Sequence, residues 1–181
     1  MTTMKICLVS GTNRPGSQTR RVAKLYQSHF EALGHHVDFL DLVELPEELF
    51  RPEAYEKKPA GFSRFSQAVL GSKGLVIVSP EYNGSFPGVL KMFIDMLPFP
   101  ESFEKRPVAF VGLAAGQWGA LRPVEQLQAV FGYRNAHIFP ERIFLPRVDS
   151  LLDQDGKITH PVISGLIQSQ IRNFCDFAAR L

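Results

Sequence analysis

The residues best suited to chemistry near the start of the chain lie in the stretch 11–19. Thr12, Ser17 and Thr19 supply hydroxyl donors, and Arg14 supplies a permanently charged guanidinium. An arginine fork can grip phosphate oxygens with two parallel hydrogen bonds, and charge-assisted bonds of this kind contribute roughly 1.5–3 kcal/mol each. This set of side chains favours the binding of an anion, most often a phosphate.

The elements around this stretch would position those donors. Ile6, Leu8 and Val9 form a short apolar run that predicts a buried strand, and Gly11 breaks the run into a loop. A helical pattern opens at residues 17–19, where a hydroxyl is available as N-cap. A strand, a glycine-containing loop and a helix start together turn unpaired backbone N–H groups toward one point at the positive end of the helix dipole.

Two better-known nucleotide loops do not match this stretch. A Walker A loop requires Lys after Gly16, where Ser17 stands, and the dinucleotide fingerprint requires a second glycine at Asn13. The plain alternative is a strand–helix turn that binds no ligand. Arg14 among three hydroxyl groups favours a mononucleotide phosphate site over that alternative.

A second unusual loop covers residues 80–88 (PEYNGSFPG). It offers a rigid, proline-bounded backbone, an amide at Asn83, a hydroxyl at Ser85 and aromatic rings at Tyr82 and Phe86. It has no serine in a nucleophile elbow and no histidine to pair with one, so it does not fit a hydrolase.

A third loop, residues 115–120 (AGQWGA), presents backbone N–H groups and Trp118. Together with residues 80–88 it could hold a flat heteroaromatic ring by main-chain hydrogen bonds and stacking, with the phosphate of the same ligand in the first loop. Flavin mononucleotide (FMN) fits that description. The redox chemistry would then belong to the cofactor, and the protein would position and tune it.

Length and composition set the broad class. With 181 residues and a formal charge of +2, the chain is predicted to form a single domain, residues 1–181, with a substantial core. No basic stretch is dense enough for a nucleic-acid groove, and no segment resembles a signal peptide or a transmembrane helix. We therefore expect a cytoplasmic protein with neither a nucleic acid nor a membrane as partner.

No metal site is expected from the cysteines and histidines. Cys7 and Cys175 lack a neighbouring Cys or His at metal-binding spacing, so both are predicted to be buried, reduced core residues. The histidines share no such spacing either, and His35 is expected at the surface or at a strand edge.

Apolar runs and helical periodicities alternate along the chain. Predicted strands after the first are residues 36–41, 74–79, 107–114 and 136–145, the last interrupted at Pro140. Predicted helices are residues 19–33, 61–71, a segment ending at 96, a segment ending near 130, and 161–181, with Val162 and Leu166 on the inner side of the last. This alternation predicts an α/β fold, a three-layer sandwich with helices on both faces of a five-stranded parallel sheet of order 2-1-3-4-5. The three unusual loops follow strands 1, 3 and 4, so they converge on one edge of the sheet.

These motifs resemble those of the NADPH-dependent FMN reductase family, which has a flavodoxin-like fold. The resemblance spans essentially the whole chain, and its most specific part is the pattern P-E-Y-N-x-S-x-P-x-x-L-K. It is carried by GTNRPGS at 11–17, PEYNGSFPGVLK at 80–91 with Ile94-Asp95, and residues 116–122 followed by Gln126-Leu127. Thr12 and Thr19 replace the family's usual Ser and Asn but keep a donor, and Gln117-Trp118 replaces a stretch often richer in glycine.

The resemblance implies which residues bind the cofactor. The FMN phosphate would be held by Thr12, Arg14, Ser17 and Thr19, with Gln18 in the same site. The isoalloxazine and the ribityl chain would be bordered by Pro80, Glu81, Tyr82, Asn83 and Ser85. The other edge of the ring would be lined by Ala115, Gly116, Gln117, Trp118 and Gly119. Tyr82 and Trp118 would also wall the substrate slot, although packing of a helix start or a subunit contact is the alternative role for such aromatic residues.

The reaction implied by the resemblance is ping-pong. NADPH or NADH would pass a hydride to N5 of FMN and leave, and a quinone, azo compound, metal oxyanion or free flavin would take its place. No side chain is needed as acid or base; Glu81 and Asp95 are not expected to form a catalytic pair, and Asp95 is expected to pair with Lys91. The resemblance also implies a homodimer or homotetramer that associates through the helices after strands 3 and 4.

Two other functions stay open at this point. A flavodoxin-type electron carrier would have the same fold, but such carriers tend to be strongly acidic for steering to partners, whereas this chain is nearly neutral. Arg14 in the phosphate loop also resembles the reductases rather than flavodoxins. The other possibility is a flavin-free regulator that senses a different phosphorylated ligand.

Overall fold

In the computed structural model, which describes residues 3–181, five strands form one sheet. β1 spans Lys5–Ser10, β2 His36–Asp41, β3 Gly74–Pro80, β4 Pro107–Ala114 and β5 His137–Pro146. The strands lie in the order β2-β1-β3-β4-β5, and each adjacent pair is parallel. The predicted fold class and strand order are confirmed.

Helices cover both faces of this sheet. α1 spans Gln18–Ala32, α2 Ser63–Leu70, α3 Gly88–Met96, α4 Leu121–Tyr133 and α5 Pro161–Ala179. On the face covered by α1 and α5, Val22 packs in one apolar cluster with Val76 of β3. On the face covered by α2, α3 and α4, Phe93 and Leu127 share a second cluster with Ile77 of β3. Neighbouring residues of a strand point to opposite faces, which explains why every residue of β3 is apolar or small and buried.

The predicted interruption at Pro140 is a change of register within a continuous strand. Val108 of β4 pairs with Ile138 of β5, but Phe110, two residues further along β4, pairs with Arg142. β5 therefore carries extra residues around Pro140. Proline cannot donate a backbone hydrogen bond, and β5 tolerates both the proline and the extra residues because it lies at the edge of the sheet.

The connection between β2 and α2 is long but locally ordered. Four short 3₁₀ helices occupy Leu42–Glu44, Glu47–Phe50, Pro52–Tyr55 and Ala60–Phe62. Each places one apolar side chain in the core. Those side chains are Leu42, Leu49, Ala54 and Phe62. The segment is thus fixed on the surface at regular intervals.

Some expectations about individual residues were wrong. Val162 and Leu166 are exposed on α5, because the inner face of that helix is formed by Ile167, Ile171 and Phe174. His35 is buried, only 4% exposed, because its ring packs against Phe30.

Cys7 and Cys175 are free and buried, as predicted. The expected ion pair between Lys91 and Asp95 is present at 2.8 Å on α3. Across residues 3–181, no three His, Cys, Asp or Glu side chains group in a way that could hold a metal ion. None of the helices in this range is both long and apolar enough to cross a bilayer.

Candidate functional site

The loops after β1, β3 and β4 meet at the carboxyl edge of the sheet, as their topology requires. They surround a cavity of about 510 Å³, a size typical of small-molecule sites. The first loop and the start of α1 contribute Arg14, Pro15, Gly16, Ser17, Gln18 and Thr19. The other lining residues are Pro80, Glu81, Tyr82, Leu113, Ala114, Ala115, Val148 and Asp149.

Close contact with β3 fixes the first loop. The N–H of Gly11 donates to the carbonyl of Val78 at 2.9 Å, and a Cβ at position 11 would lie 2.7 Å from the same oxygen. Only glycine allows this approach without a shift of the backbone. The loop therefore starts from a rigid point before it turns toward the cavity.

The start of α1 is built to receive an anion. Ser17 is the N-cap, and its hydroxyl accepts a hydrogen bond from the N–H of Arg20 at 3.2 Å. The first turn of α1 has no acidic residue, so the positive end of the helix dipole is not neutralised by its own side chains. Arg14, Ser17 and Thr19 all line the cavity here. A phosphate fits this corner by charge and by donor chemistry.

Gln18 links α1 to the end of β5. Its amide nitrogen donates to Oδ1 of Asp149 at 2.8 Å, and its amide oxygen accepts from Nη1 of Arg21 at 2.9 Å. Both ends of the Gln18 side chain are thus occupied by protein partners. Gln18 shapes the wall of the cavity and holds Asp149 beside it.

Thr12 lies behind the cavity wall. It is fully buried, and its hydroxyl lies 2.8 Å from the Tyr82 hydroxyl. The same oxygen accepts from the N–H of Arg14 at 3.2 Å. The structure thus places Thr12 as an internal support for Arg14 and Tyr82, whereas a direct phosphate contact remains a prediction.

The loop after β3 is a tight turn at residues 82–85. Tyr82 and Ser85 exchange backbone hydrogen bonds at 2.8 and 3.1 Å, and Asn83 and Gly84 both have positive φ, 52° and 77°. An Asn-Gly pair with two positive φ angles is the preferred two-residue hairpin turn. This turn places Tyr82 at the cavity, whereas Asn83 and Ser85 are not part of its lining.

The first two turns of α4 hold this hairpin from the side. Gln126 accepts from the Ser85 hydroxyl at 2.6 Å and donates to the carbonyl of Gly84 at 3.3 Å. Arg122 lies one helical turn earlier and donates to a carboxylate oxygen of Glu81 at 3.1 Å. The loop after β3 is therefore anchored to the helix that follows β4.

The loop after β4 needs glycine for its path. Gly119 has φ 58°, and a Cβ there would lie 2.9 Å from the backbone nitrogen of Pro146 at the end of β5. The carbonyl of Gly116 accepts from the N–H of Arg147 at 3.1 Å. The loop is thus pinned against the end of β5, and Trp118 at its tip is 54% exposed.

The predicted site residues divide into two groups. The cavity is lined directly by Arg14, Ser17, Gln18, Thr19, Pro80, Glu81, Tyr82 and Ala115. The residues outside the lining are Thr12, Asn83, Ser85, Gly116, Gln117, Trp118 and Gly119. All of the second group lie in the same three loops, within a few residues of the lining.

The sequence reasoning missed Val148 and Asp149, which follow β5. Their position directly after the fifth predicted strand could have indicated them, because the segment after strand 5 leaves the sheet at the same edge as the three loops. It also missed the roles of Arg122 and Gln126. Their spacing of four residues on a predicted helix was the only signal for a shared face.

Comparisons with known proteins agree with this geometry. A family model described as NADPH-dependent FMN reductase matches residues 4–148. The chain is 31% identical over 155 residues to an NADPH azoreductase of Bacillus sp. (strain OY1-2), covering 86% of this chain and 82% of that protein. It is 29% identical over 159 residues to a 2-hydroxy-1,4-benzoquinone reductase of Burkholderia sp., covering 86% and 85% of the two chains.

A solved structure shows the same fold. The flavoenzyme NAD(P)H:(acceptor) oxidoreductase FerB from Paracoccus denitrificans superposes with a TM-score of 0.81 and 21% sequence identity. The match covers 98% of each chain. The order of strands, the layers and the three converging loops thus belong to a shared architecture.

Proposed function

The chain belongs to the NADPH-dependent FMN reductase family, an oxidoreductase family that uses FMN and a reduced nicotinamide nucleotide, and we propose that it reduces a flat conjugated acceptor in a ping-pong reaction. One observation carries the proposal. The cavity lining combines Arg14 and the start of a helix whose first turn has no acidic residue with the exposed ring of Tyr82. An anion and a planar ring can thus be held in one site.

The chain's own residues would bind FMN and orient it. Arg14, Ser17, Thr19 and the backbone N–H groups at the start of α1 would hold the FMN phosphate. Pro80, Glu81 and Tyr82, fixed by the hairpin turn and by α4, would border the ring system. When bound, FMN supplies hydride acceptance from the nicotinamide and hydride donation to the acceptor.

The class of acceptor follows from the open side of the cavity. Tyr82 and Trp118 are aromatic residues on neighbouring loops, and they leave 36% and 54% of their surfaces exposed. Flat conjugated molecules stack on such rings. We therefore propose quinones and azo compounds as acceptors before metal oxyanions or free flavin, in keeping with the names of the azoreductase and benzoquinone reductase relatives.

The deciding experiment is an anaerobic titration of FMN-loaded protein with NADPH, followed by the visible absorption of the flavin. We expect stoichiometric bleaching far faster than that of free FMN at the same concentration, and recovery of the absorption when a quinone is added. A bound flavin that NADPH leaves unbleached would replace this proposal with the electron carrier. Absence of any flavin binding would favour the regulator.

We also propose a homodimer or homotetramer in the cytoplasm. Tyr133, at the end of α4, leaves 82% of its surface exposed, and exposed aromatic residues are frequent at subunit contacts. The buried, unpaired cysteines suit a reducing compartment. Light scattering on purified protein tests the assembly, and a monomeric mass at micromolar concentration would contradict it.

A further inference from the structure

Arg122 touches two of the three site loops. Its Nη1 donates to Oε1 of Glu81, in the loop after β3, at 3.1 Å. Its guanidinium carbon lies 5.8 Å from the ring centroid of Trp118, in the loop after β4. That distance is within the range of a cation–π interaction. Arg122 is therefore a direct link between Glu81 and Trp118.

The environment of this link favours a fixed geometry. The side chain of Glu81 is only 14% exposed and lines the cavity, whereas that of Arg122 is 52% exposed. The aliphatic part of Arg122 also passes Gly84, where a Cβ would lie 3.9 Å from its Cδ. The guanidinium is thus held between a carboxylate from inside the cavity and an indole outside it.

Trp118 is only half enclosed by the protein. It is 54% exposed, and its loop has positive φ at Gly119 and Ala120 directly after it. The carbonyl of Trp118 accepts from the N–H of Leu121, which fixes the backbone at the start of α4 but not the ring. The contact with Arg122 is therefore one restraint on the orientation of the indole.

We propose that Arg122 is a positioning residue that couples Glu81 to Trp118 and sets the angle of the indole, which lies outside the cavity lining in the loop after β4. An indole held in this way is a ready stacking surface for the nicotinamide and for the acceptor. This use of the indole rests on the function proposed above. The coupling itself is a property of the cofactor-free chain.

Trp118 reports on this coupling without interference, because the chain contains a single tryptophan. The measurement is time-resolved fluorescence anisotropy of the cofactor-free protein, which detects nanosecond side-chain motion. The variants are Arg122→Ala, Glu81→Gln and the double variant. Arg142→Ala is the control, because Arg142 likewise has one side-chain hydrogen-bond partner, the amide of Gln128, and one aromatic neighbour, Phe144.

We expect the amplitude of fast indole motion to rise in Arg122→Ala and to stay at the wild-type value in Arg142→Ala. Glu81→Gln is expected to raise it as well, although Glu81 reaches the indole only through Arg122. In the double variant the Glu81 substitution should add nothing further. Additive effects, or an unchanged anisotropy in Arg122→Ala, would overturn the coupling.

Steady-state kinetics then tests the proposed function and the role of the indole separately. With protein saturated with FMN we expect KM for NADPH to rise about two- to fivefold in Arg122→Ala, the range of an exposed cation–π contact. A wild-type protein that NADPH does not reduce would refute the proposed function and leave the anisotropy result standing. A wild-type protein that is reduced, with normal KM in Arg122→Ala, would refute the role of the indole as a stacking surface.

Discussion

The hydroxyl oxygens of Thr12 and Tyr82 lie 2.8 Å apart and join the loop after β1 to the loop after β3. Seventy positions separate the two residues in the chain. The Thr12 oxygen also accepts from the backbone N–H of Arg14, so one buried hydroxyl joins the backbone of the first loop to an aromatic ring of the cavity.

Removal of the Thr12 hydroxyl should therefore affect both stability and binding. In Thr12→Val the N–H of Arg14 loses its acceptor inside the protein, and we expect the free energy of unfolding to fall by about 1 kcal/mol. FMN affinity should fall too, because Arg14 is no longer held in place. Urea denaturation and a fluorescence titration with FMN measure the two effects.

Tyr82→Phe is the comparison for that variant. It removes the same hydroxyl–hydroxyl contact but leaves the Thr12 oxygen free to accept from Arg14. A smaller loss of stability is expected than in Thr12→Val. Equal losses in the two variants would show that the bond to Arg14 contributes nothing.

Arg14→Ala tests the phosphate corner directly. Arg14 is an exposed cation in the cavity lining. Loss of one charge-assisted bond of roughly 1.5–3 kcal/mol should raise the dissociation constant for FMN about 10- to 150-fold. Equilibrium titration of cofactor-free protein with FMN measures it. Arg172→Ala on the exposed side of α5 is the control and should bind FMN as the wild type does. Unchanged affinity in Arg14→Ala would place the phosphate elsewhere.

The strands around this site, and the edge of the sheet where its loops meet, were predictable from the sequence for a physical reason. A parallel sheet covered on both faces needs nearly continuous apolar strands, so β3 and β4 are visible as apolar runs. Chain topology then places the loops that follow strands 1, 3 and 4 at one edge. Neither inference requires knowledge of any side-chain contact.

The contacts between loops could not be predicted in this way. The pair Thr12–Tyr82 and the pair Glu81–Arg122 join residues far apart in the chain, and a pattern in one segment carries no information on its partner. The buried state of His35 was missed for the same reason. It follows the glycine that ends α1, a position typical of an exposed turn, and its burial depends on how that turn packs against Phe30.

Gly119 should be intolerant of a side chain. It has φ 58°, and a Cβ would lie 2.9 Å from the nitrogen of Pro146 and 3.0 Å from that of Leu145, backbone atoms that cannot move aside. The positive φ alone costs a residue with a side chain about 1–3 kcal/mol. We expect Gly119→Ala to lower the free energy of unfolding by at least that much and to weaken FMN binding.

Gly116→Ala, in the same loop, separates this effect from a general sensitivity of the loop. Nothing lies within 4 Å of a Cβ at position 116, and its φ is not positive. Its effect on the free energy of unfolding should stay within about 0.5 kcal/mol. Thermal denaturation of the two variants beside the wild type measures the difference, and similar melting temperatures for all three would contradict the prediction.

His35 should make the fold sensitive to mild acid. Burial lowers the pKa of the His35 imidazole, and its Nδ1 accepts from the N–H of Met4 at 3.2 Å, a bond that the protonated ring cannot make. In the unfolded chain a histidine titrates near 6.5. Below that pH the unfolded state therefore holds more protons, and the free energy of unfolding falls as the pH falls toward the lower pKa of the folded state. Burial lowers the pKa of His29 as well, which acts in the same direction.

The comparison that isolates His35 is the variant His35→Asn, whose side-chain oxygen can accept from Met4 but does not titrate. Urea denaturation at pH 7.5 and at pH 5.5 measures how much the free energy of unfolding falls between the two pH values. This decrease should be smaller in His35→Asn than in the wild type. The difference is up to about 1.4 kcal/mol for each pH unit over which the wild-type imidazole is neutral in the folded state but protonated in the unfolded state. His36→Asn, at an exposed neighbouring position, should keep the wild-type loss. If His35→Asn loses as much stability as the wild type between the two pH values, the buried imidazole is not the acid-sensitive group.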